Sequence, residues 1–323
     1  MTANARISVL ATLAALFSLI ASLPLSATGA AEPAGTVRIL VPSSTAALPF
    51  LLMAREDRVR GVDVVAETYA NNAQALALFL RGEADLLCAG TSQGWENRQD
   101  GSPIQILGTG VWGTSSLIGV DARIKSFADL KGKRLALPFP GSPLDFQTRA
   151  MLVREGLEPD TDLQISYGAF PQSLARLASG QLDAAAMPEP QATTAVRVNG
   201  LARLLVYADA WARWSGGKRE SPQVSLFATE SFAAANTELL SRFVKEWSSA
   251  SKRITDAPED LVPQFAEVLA TSPEVLVEAS RNTIFLVEAF DTNKRSVADY
   301  YGQVSQYFPR EARPLDDGFF FIP

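Results

Sequence analysis

Three short segments that follow predicted strands in the first third of the chain carry hydroxyl and amide side chains. They are Ser43 and Ser44, Asn71 and Asn72, and Thr91 and Ser92. Several stand where a helix is expected to begin, and the free N–H groups of a helix N-terminus suit a carboxylate, phosphate or sulfonate. Each side chain is equally interpretable as a helix cap. The pattern favours a binding site for a small polar group.

The corresponding segments in the middle of the chain carry different chemistry. They contain Phe139, Gly141, Ser142, Phe170 and Glu189. The two phenylalanines could enclose a planar or apolar group. A buried carboxylate must be paired or hydrogen-bonded, so Glu189 could receive an N–H or amine of a ligand. The alternative is that Glu189 only favours the positive end of its own helix.

The sequence contains no recognisable motif for a catalytic site or a metal site. The chain contains no histidine, which excludes Ser-His-Asp and Cys-His nucleophile systems and the usual zinc sites. The six segments contain no Lys or Arg, and no glycine-rich phosphate loop or CxxC pair occurs. We expect no catalytic residue, no metal and no cofactor. Trp112 ends the fourth predicted strand and is interpretable either as a wall of the binding cleft or as core.

A repeated segment explains why these loops occur in pairs. Residues 69–85 (YANNAQALALFLRGEAD) and 167–183 (YGAFPQSLARLASGQLD) share six of seventeen positions at an offset of 98. A weaker match at an offset of 96 relates RILVP at 38–42 to RLALP at 134–138. The order strand, helix, strand, helix, strand is therefore used twice. This predicts two similar α/β lobes with a cleft between them, where a small molecule would bind.

The periodicity of the chain predicts how the lobes are built. Strands that alternate with helical patterns of about 10–15 residues favour mainly parallel sheets, and ligands of such sheets bind beyond the carboxyl ends of the strands. Residues 209–222 are predicted to form an exposed loop. Residues 231–254 are predicted to form a helix with an apolar stripe, further helices should follow, and Phe319–Phe321 should pack against a lobe.

Length and charge limit the class of protein. A chain of 323 residues fits about two domains. The net charge of −6 argues against nucleic acid or an anionic membrane as the main partner. The single cysteine, Cys88, excludes an intramolecular disulfide and is interpreted as a buried strand thiol.

The first 31 residues resemble a secretory signal peptide. Arg6 provides the positive start, residues 7–23 are apolar, and small residues suit cleavage near Ala30 or Ala31. The alternative is an uncleaved membrane anchor, because the apolar stretch approaches the length that spans a bilayer. Cys88 lies far from the cleavage site, so we expect no lipidated N-terminal cysteine. These features are typical of a periplasmic protein that is not a lipoprotein.

A family resemblance rests on an ordered set of phrases. They are RILVP, LALFLRGEADLLCAG, SFADLKGKRLALP, GSPLDFQTRAMLVREGL and SLARLASGQLDAAAMPEP. Together they resemble the periplasmic substrate-binding proteins of ABC importers, in particular the nitrate/sulfonate/taurine family, which also includes binders of thiamine-pyrimidine precursors. The resemblance implies an α/β type II periplasmic-binding fold with two Rossmann-like lobes, two crossover strands near 114–120 and 222–228, and a helical C-terminal tail on the first lobe. Lobe 1 would comprise 36–114 and 224–323, and lobe 2 would comprise 115–223.

The same resemblance implies a function. It points to a monomeric solute receptor that closes on a small organic molecule and delivers it to an ABC permease driven by an ATPase. The first alternative is an enzyme of the pyrimidine-precursor-synthase type, whose relatives are thought to use a histidine that this chain lacks. The second is the ligand-sensing domain of a signalling system. The sequence does not choose among sulfonates, amino acids, pyrimidines and aromatic carboxylates as ligand.

Overall fold

The computed structural model describes residues 35–307 and 315–323. The predicted signal peptide, residues 1–31, lies outside these residues. Within the described ranges, no helix combines the length and the apolar character needed to cross a membrane. Two β-sheets covered by helices make up the described chain.

Six strands form the first sheet. They are β1 (Thr36–Pro42), β2 (Asp63–Tyr69), β3 (Leu86–Gly90), β4 (Ile104–Gly113), β10 (Val224–Thr229) and β11 (Ile284–Ala289). Their order is β11-β4-β10-β3-β1-β2. β1 runs parallel to β2 and β3, whereas β10 is antiparallel to both of its neighbours and β11 is antiparallel to β4.

Five strands form the second sheet. They are β5 (Ser115–Gly119), β6 (Arg134–Leu137), β7 (Gln164–Tyr167), β8 (Ala184–Pro188) and β9 (Ala202–Val206), in the order β7-β6-β8-β5-β9. β6 is parallel to β7 and β8, and β5 is antiparallel to β8 and β9. The prediction of mainly parallel sheets holds for β1–β3 and for β6–β8, whereas β5, β10 and β11 run in the opposite direction. Strands β5 and β10 each enter a sheet from the other one, and each lies antiparallel between its two neighbours.

Twelve α-helices surround the sheets. They are α1 (Leu48–Arg55), α2 (Asn72–Leu80), α3 (Thr91–Gln99), α4 (Pro143–Arg154), α5 (Phe170–Ala178), α6 (Gln191–Arg197), α7 (Tyr207–Trp214), α8 (Glu230–Ala235), α9 (Thr237–Asp256), α10 (Pro258–Leu261), α11 (Pro273–Arg281) and α12 (Phe290–Val304) within the described ranges. Asn71 caps α2, which confirms the cap interpretation considered for it, and Ser142 caps α4. No side chain caps α3, which follows Gly90 directly, so neither Thr91 nor Ser92 has the capping role considered above.

The internal repeat has the same structural role in both lobes. The Asp85 carboxylate accepts a hydrogen bond of 2.8 Å from the backbone N–H of Arg38 at the start of the first sheet. Asp183 accepts a bond of the same length from the N–H of Arg134 in the second sheet. Asp85 therefore links the turn before β3 to strand β1, and Asp183 links the turn before β8 to strand β6.

Residues 209–222 only partly match the predicted loop. Helix α7 occupies 207–214, and the exposed segment begins after it. Tyr207 and Trp211 are buried on one face of the helix, and the Trp211 ring lies 4.8 Å from that of Tyr300 on α12. A helix of eight residues has too few turns to show a clear period in a sequence, and packing against α12 stabilises it.

The C-terminal region follows the prediction in its core and departs from it elsewhere. The stripe Leu240, Phe243, Val244 and Trp247 is buried, and so is Phe319–Phe321, which confirms both expectations. The predicted helix over 231–254 is divided at Asn236 into α8 and α9. Strand β11 was not predicted, because its residues are only partly buried and show no strict alternation.

An ion pair joins the end of α1 to α9 and should be sensitive to pH. Hydrogen bonds from Arg253, opposed by burial and aided by Arg58, lower the pKa of Glu56 to about 2. A lowered pKa stabilises the folded state above the unfolded value near 4.5, and this contribution is lost as the pH falls towards 2. We expect Glu56→Gln to lower the free energy of unfolding by about 0.2–1 kcal/mol at pH 7 and to have no effect at pH 2. Urea unfolding at both pH values measures this, and equal losses would contradict it.

Candidate functional site

The principal candidate site is a cavity of about 510 Å³ whose mainly apolar lining also carries amide side chains. Fourteen described residues line it. Four are amides, three are aromatic, and the others are apolar or glycine: Asn71, Asn72, Gln93, Asn97; Tyr69, Phe139, Phe227; Ala70, Ala73, Leu76, Leu87, Ala89, Gly94, Ile104. The lining predicts a partly apolar ligand that also makes hydrogen bonds.

The elements of the first sheet build most of this cavity. Leu87 and Ala89 project from the same face of β3, and Phe227 lies opposite Leu87 on β10. Helix α2 contributes Leu76, and the amides stand at or near the start of α2 and on the first turns of α3. Phe139, which follows β6, reaches the cavity from the second sheet. The cavity therefore opens where the two lobes meet.

Helix α3 lies directly on the floor of the cavity. A Cβ atom built on Gly94 would stand 2.1 Å from Cζ of Phe227. Because real Cβ contacts are never so short, only glycine permits this approach of the helix to the ring. The close fit holds the amides of α3 at a defined height above the Phe227 ring.

Tyr69 is held in a fixed orientation at the end of β2. Its hydroxyl donates a hydrogen bond of 2.8 Å to the backbone carbonyl of Cys88. Burial, followed by the neighbouring Cys88 thiol, raises the pKa of Tyr69 above its usual value, and burial also raises that of Cys88. Both groups are neutral at physiological pH. Tyr69 therefore presents the side of its ring to the cavity and no charge.

Three of the residues predicted from the sequence line the cavity together. Asn71 and Asn72 come from the β2–α2 junction, and Phe139 comes from the β6–α4 junction. The Oδ1 atom of Asn71 also accepts a hydrogen bond of 3.0 Å from the N–H of Gln74. Asn71 thus caps its helix and lines the cavity at once, so the two interpretations of this residue are compatible.

Ser92, Gly141 and Ser142 lie at a direct contact between the lobes. The Ser92 hydroxyl, at the start of α3, donates a hydrogen bond of 2.8 Å to the carbonyl of Gly141, which precedes α4. Ser142 accepts a bond of 3.1 Å from the N–H of Asp145. Ser92 and Gly141 thus connect the two lobes, Ser142 caps α4, and none of the three lines the cavity.

The hydroxyls of Ser43, Ser44 and Thr91 have partners within the protein. Ser43 donates to the carbonyl of Tyr69 at 3.1 Å, and Ser44 accepts from the N–H of Ala46 at 3.3 Å. Thr91 shares a buried hydrogen bond of 2.8 Å with Ser225. The structure places these three side chains outside the cavity lining, where they support the strand ends.

Glu189 is buried and receives two hydrogen bonds from the protein. Its carboxylate accepts one of 2.9 Å from the N–H of Thr193 in α6 and one of 2.9 Å from Nη1 of Arg203 on β9. Burial raises the pKa of Glu189, and Arg203 acts in the opposite direction. Arg203 thus supplies the charge that a ligand amine was expected to supply. No sequence signal pointed to Arg203, because its contact depends on the pairing of the strands in the second sheet.

Trp112 and Phe170 occupy structural positions. The indole N–H of Trp112 donates to the carbonyl of Leu286 at 2.7 Å, and the ring is buried, which matches the core interpretation of this residue. Phe170 is the first residue of α5 and packs against the apolar cluster that contains Leu177 and Met187 of the second lobe. Neither residue lines the cavity.

Two amides of the cavity were not among the predicted site residues. Gln93 and Asn97 lie one turn apart on α3, and Nδ2 of Asn97 donates to the carbonyl of Gln93 at 2.7 Å. The i, i+4 spacing of two amides on a helix at a strand end was the signal that could have identified them.

A second cavity of about 410 Å³ lies on another side of the contact between α3 and α4. Its arginine, Arg149, donates to Asp160 at 2.7 Å, to Asp145 at 2.9 Å and to the hydroxyl of Tyr167 at 2.9 Å. The guanidinium is therefore compensated by two carboxylates. Among the residues that the structure describes, no cluster of three or more His, Cys, Asp or Glu could hold a metal ion.

Comparison with protein-family models decides the assignment. The model described as NMT1/THI5 like matches residues 58–261, which is more than half of the chain. The chain belongs to the NMT1/THI5-like family. This NMT1/THI5-like chain gave no match in a search of curated proteins.

Solved structures show that this family member has the predicted fold. The periplasmic aliphatic sulphonate-binding protein SsuA of Escherichia coli matches with a TM-score of 0.73 at 18% identity, covering 89% of this chain and 92% of that one. SsuA of Xanthomonas axonopodis pv. citri, bound to MOPS, matches at 0.68 and 19% identity, covering 90% and 96%. The periplasmic nitrate-binding protein NrtA of Synechocystis PCC 6803 matches at 0.65 and 15% identity, covering 84% and 80%. The fold of this chain is that of the type II periplasmic binding proteins.

Proposed function

We propose that the protein is a periplasmic solute receptor that binds a small organic molecule between its lobes and delivers it to an ABC import permease. The observation that carries this proposal is the cavity of about 510 Å³ at the junction of the lobes, lined by Asn71, Asn72 and Phe139. Its volume falls in the range of small-molecule sites, about 300–1,000 Å³. Structural relatives that bind sulfonate or nitrate in the periplasm support the same role.

The receptor would act by movement of the lobes about their connections. One connection is Thr114, which alone separates β4 from β5. The return connection precedes β10 and contains Gln223, which donates to Gln147 at 3.1 Å in a buried contact. A closed form would be held by Ser92–Gly141 and by ligand contacts that exist only after closure. We propose lobes of 36–114 with 224–323, and of 115–223.

The proposal predicts a bound or stabilising small molecule. Native mass spectrometry of gently purified protein should show a co-purified compound, and a thermal-shift screen should find its relatives. A ligand present at 100 times its Kd should add about 2.7 kcal/mol to the free energy of unfolding. A screen of sulfonates, amino acids, pyrimidines and aromatic carboxylates that yields no stabiliser and no co-purified compound would contradict the receptor function.

The receptor and an enzyme on the same fold are distinguished by the fate of the ligand. A receptor should return its ligand unchanged after prolonged incubation, as measured by chromatography of the released compound. The absence of histidine from the whole chain favours the receptor, because the commonest general base near neutral pH is missing. Conversion of a stabilising compound to a product would refute the receptor function.

A further inference from the structure

We propose that the ligand of the 510 Å³ cavity is an uncharged molecule with a flat or apolar body and amide-like hydrogen-bonding groups. This inference rests on the proposed receptor function and names the class of solute. It departs from the sulfonate and nitrate that the relatives named above bind.

The apolar part of the cavity lining disfavours ionised groups. Leu76, Leu87, Ile104 and Phe227 line it, and three of these four side chains are buried. Transfer of an ionised group to such surroundings costs far more than transfer of an apolar ring, unless a paired charge compensates. This part of the lining therefore suits an apolar or aromatic body.

The polar residues of the lining suit a ligand that both donates and accepts. Asn71, Asn72, Gln93 and Asn97 each carry an amide, which has one acceptor oxygen and two N–H donors. No hydrogen bond within the described part of the chain engages the side chain of Asn72 or Gln93. A carboxamide, lactam or urea can pair with both the N–H donors and the oxygen acceptors of these side chains. A sulfonate has only acceptors, so it can pair with the N–H donors alone.

The arginines beside the contact between the lobes are already paired. Arg149 contacts Asp145 and Asp160, and Arg203 contacts the carboxylate of Glu189. Arg98, on α3 itself, is paired with Glu230 and Asp316. The lining residues within the described ranges include no Lys or Arg. An anion in the cavity would have to be held without a matching cation.

The starts of α2 and α3 also reach the cavity through Ala73 and Gln93. Free N–H groups at these positions favour negative charge, and they also donate to the carbonyl oxygen of an uncharged ligand. This feature alone does not separate the two classes. The apolar part of the lining and the pairing of the nearby arginines favour the uncharged class of ligand.

Matched pairs of probes test the inference on the mature protein. Benzamide is compared with benzenesulfonate, nicotinamide with nicotinate, and hexanamide with hexanesulfonate, by isothermal titration calorimetry at 0.02 M and 0.5 M NaCl. The uncharged member of a pair should bind at least about tenfold more tightly, a difference of about 1.4 kcal/mol. Its Kd should not change with salt, because screening acts on charge alone.

A side-chain substitution locates the binding within the cavity. Gln93→Leu keeps the size of the side chain and removes the amide, and it should weaken binding of the uncharged probe about tenfold. Gln74→Leu is the control, since Gln74 lies exposed on α2 outside the lining and should leave the Kd unchanged. Equal affinities for the two variants would overturn the placement of the ligand in this cavity.

The outcomes separate this inference from the proposed function. Binding of only the anionic probes, with affinity that falls as salt rises, would overturn the uncharged ligand and keep the receptor. Binding of neither series, together with the absence of a co-purified compound, would overturn the receptor function itself. Salt-independent binding of the uncharged probes that Gln93→Leu weakens would support both.

Discussion

Glu189→Gln is expected to lower the free energy of unfolding by about 1–3 kcal/mol, because it removes the buried carboxylate that compensates the partly buried guanidinium of Arg203. The carboxylate of Glu189 is 1% exposed and the side chain of Arg203 is 22% exposed. Arg203 also donates to Ser116 and Thr193, and these contacts hold its guanidinium near the substituted side chain. The loss therefore reflects a poorly solvated charge without its counter-ion. Urea unfolding at pH 7 measures the effect.

An exposed ion pair provides the control. Glu278→Gln separates the same two charge types, but its partner Arg197 is 64% exposed, and we expect a loss of at most about 1 kcal/mol. The double variant Glu189→Gln with Arg203→Met should regain part of the stability, because neither charge then remains unpaired. Similar small losses for Glu189→Gln and Glu278→Gln would show that Glu189 has a solvated partner or a ligand partner in place of Arg203.

Gly94→Ala should destabilise the protein by about 1–3 kcal/mol through overpacking of the floor of the cavity. The new Cβ atom would lie 2.1 Å from Cζ of Phe227, a buried ring on a strand that is held between β3 and β4. Helix α3 must then lift from the sheet, and Gln93 and Asn97 move with it. We expect binding of a ligand to weaken in the same variant, as measured by titration calorimetry.

A second helical glycine isolates the steric part of this effect. Gly302 lies in α12, and a Cβ atom there meets no atom within 4 Å. Gly302→Ala should therefore raise the free energy of unfolding by about 0.5–1 kcal/mol, since alanine loses less conformational entropy in a helix. If Gly94→Ala were also stabilising, the close contact between α3 and Phe227 would not exist in solution.

Much of the fold follows from local signals in the chain. Strands such as Leu86–Gly90 are continuous apolar runs, and a buried strand needs an apolar side chain on both faces. Asn71 caps the helix that was expected to begin there, and Ser142 and Ser272 cap α4 and α11 in the same way. These positions are determined by hydrogen bonds within about four residues, so they are visible in sequence order.

Local sequence signals did not predict the direction of each strand in its sheet. Strand β10 reads as an ordinary apolar strand, yet it lies antiparallel between β3 and β4. Its direction depends on how the chain returns from the second sheet, which no local pattern encodes. Strand β11 was missed for a different reason, because its residues are only partly buried and show no strict alternation.

The residues of the candidate site were likewise predictable only in part from local sequence. The rule that ligands bind beyond strand ends identified Asn71, Asn72 and Phe139, because the internal repeat located those ends in both lobes. It also selected Ser43 and Thr91, whose hydroxyls bond to neighbouring strands. The end of a strand locates the loop where a ligand could bind. Which side chains of that loop face the ligand depends on tertiary packing.

The identity of partners across long distances in sequence came from the tertiary structure alone. Glu189 meets Arg203, and the Phe227 ring closes the cavity beneath Gly94 because β10 enters the sheet beside β3. The sequence specified helices, strands and the repeated lobe, since those depend on near neighbours. Which charges are paired, and which surfaces remain free to bind a ligand, depend on contacts between residues far apart in sequence, which form only when each sheet is assembled.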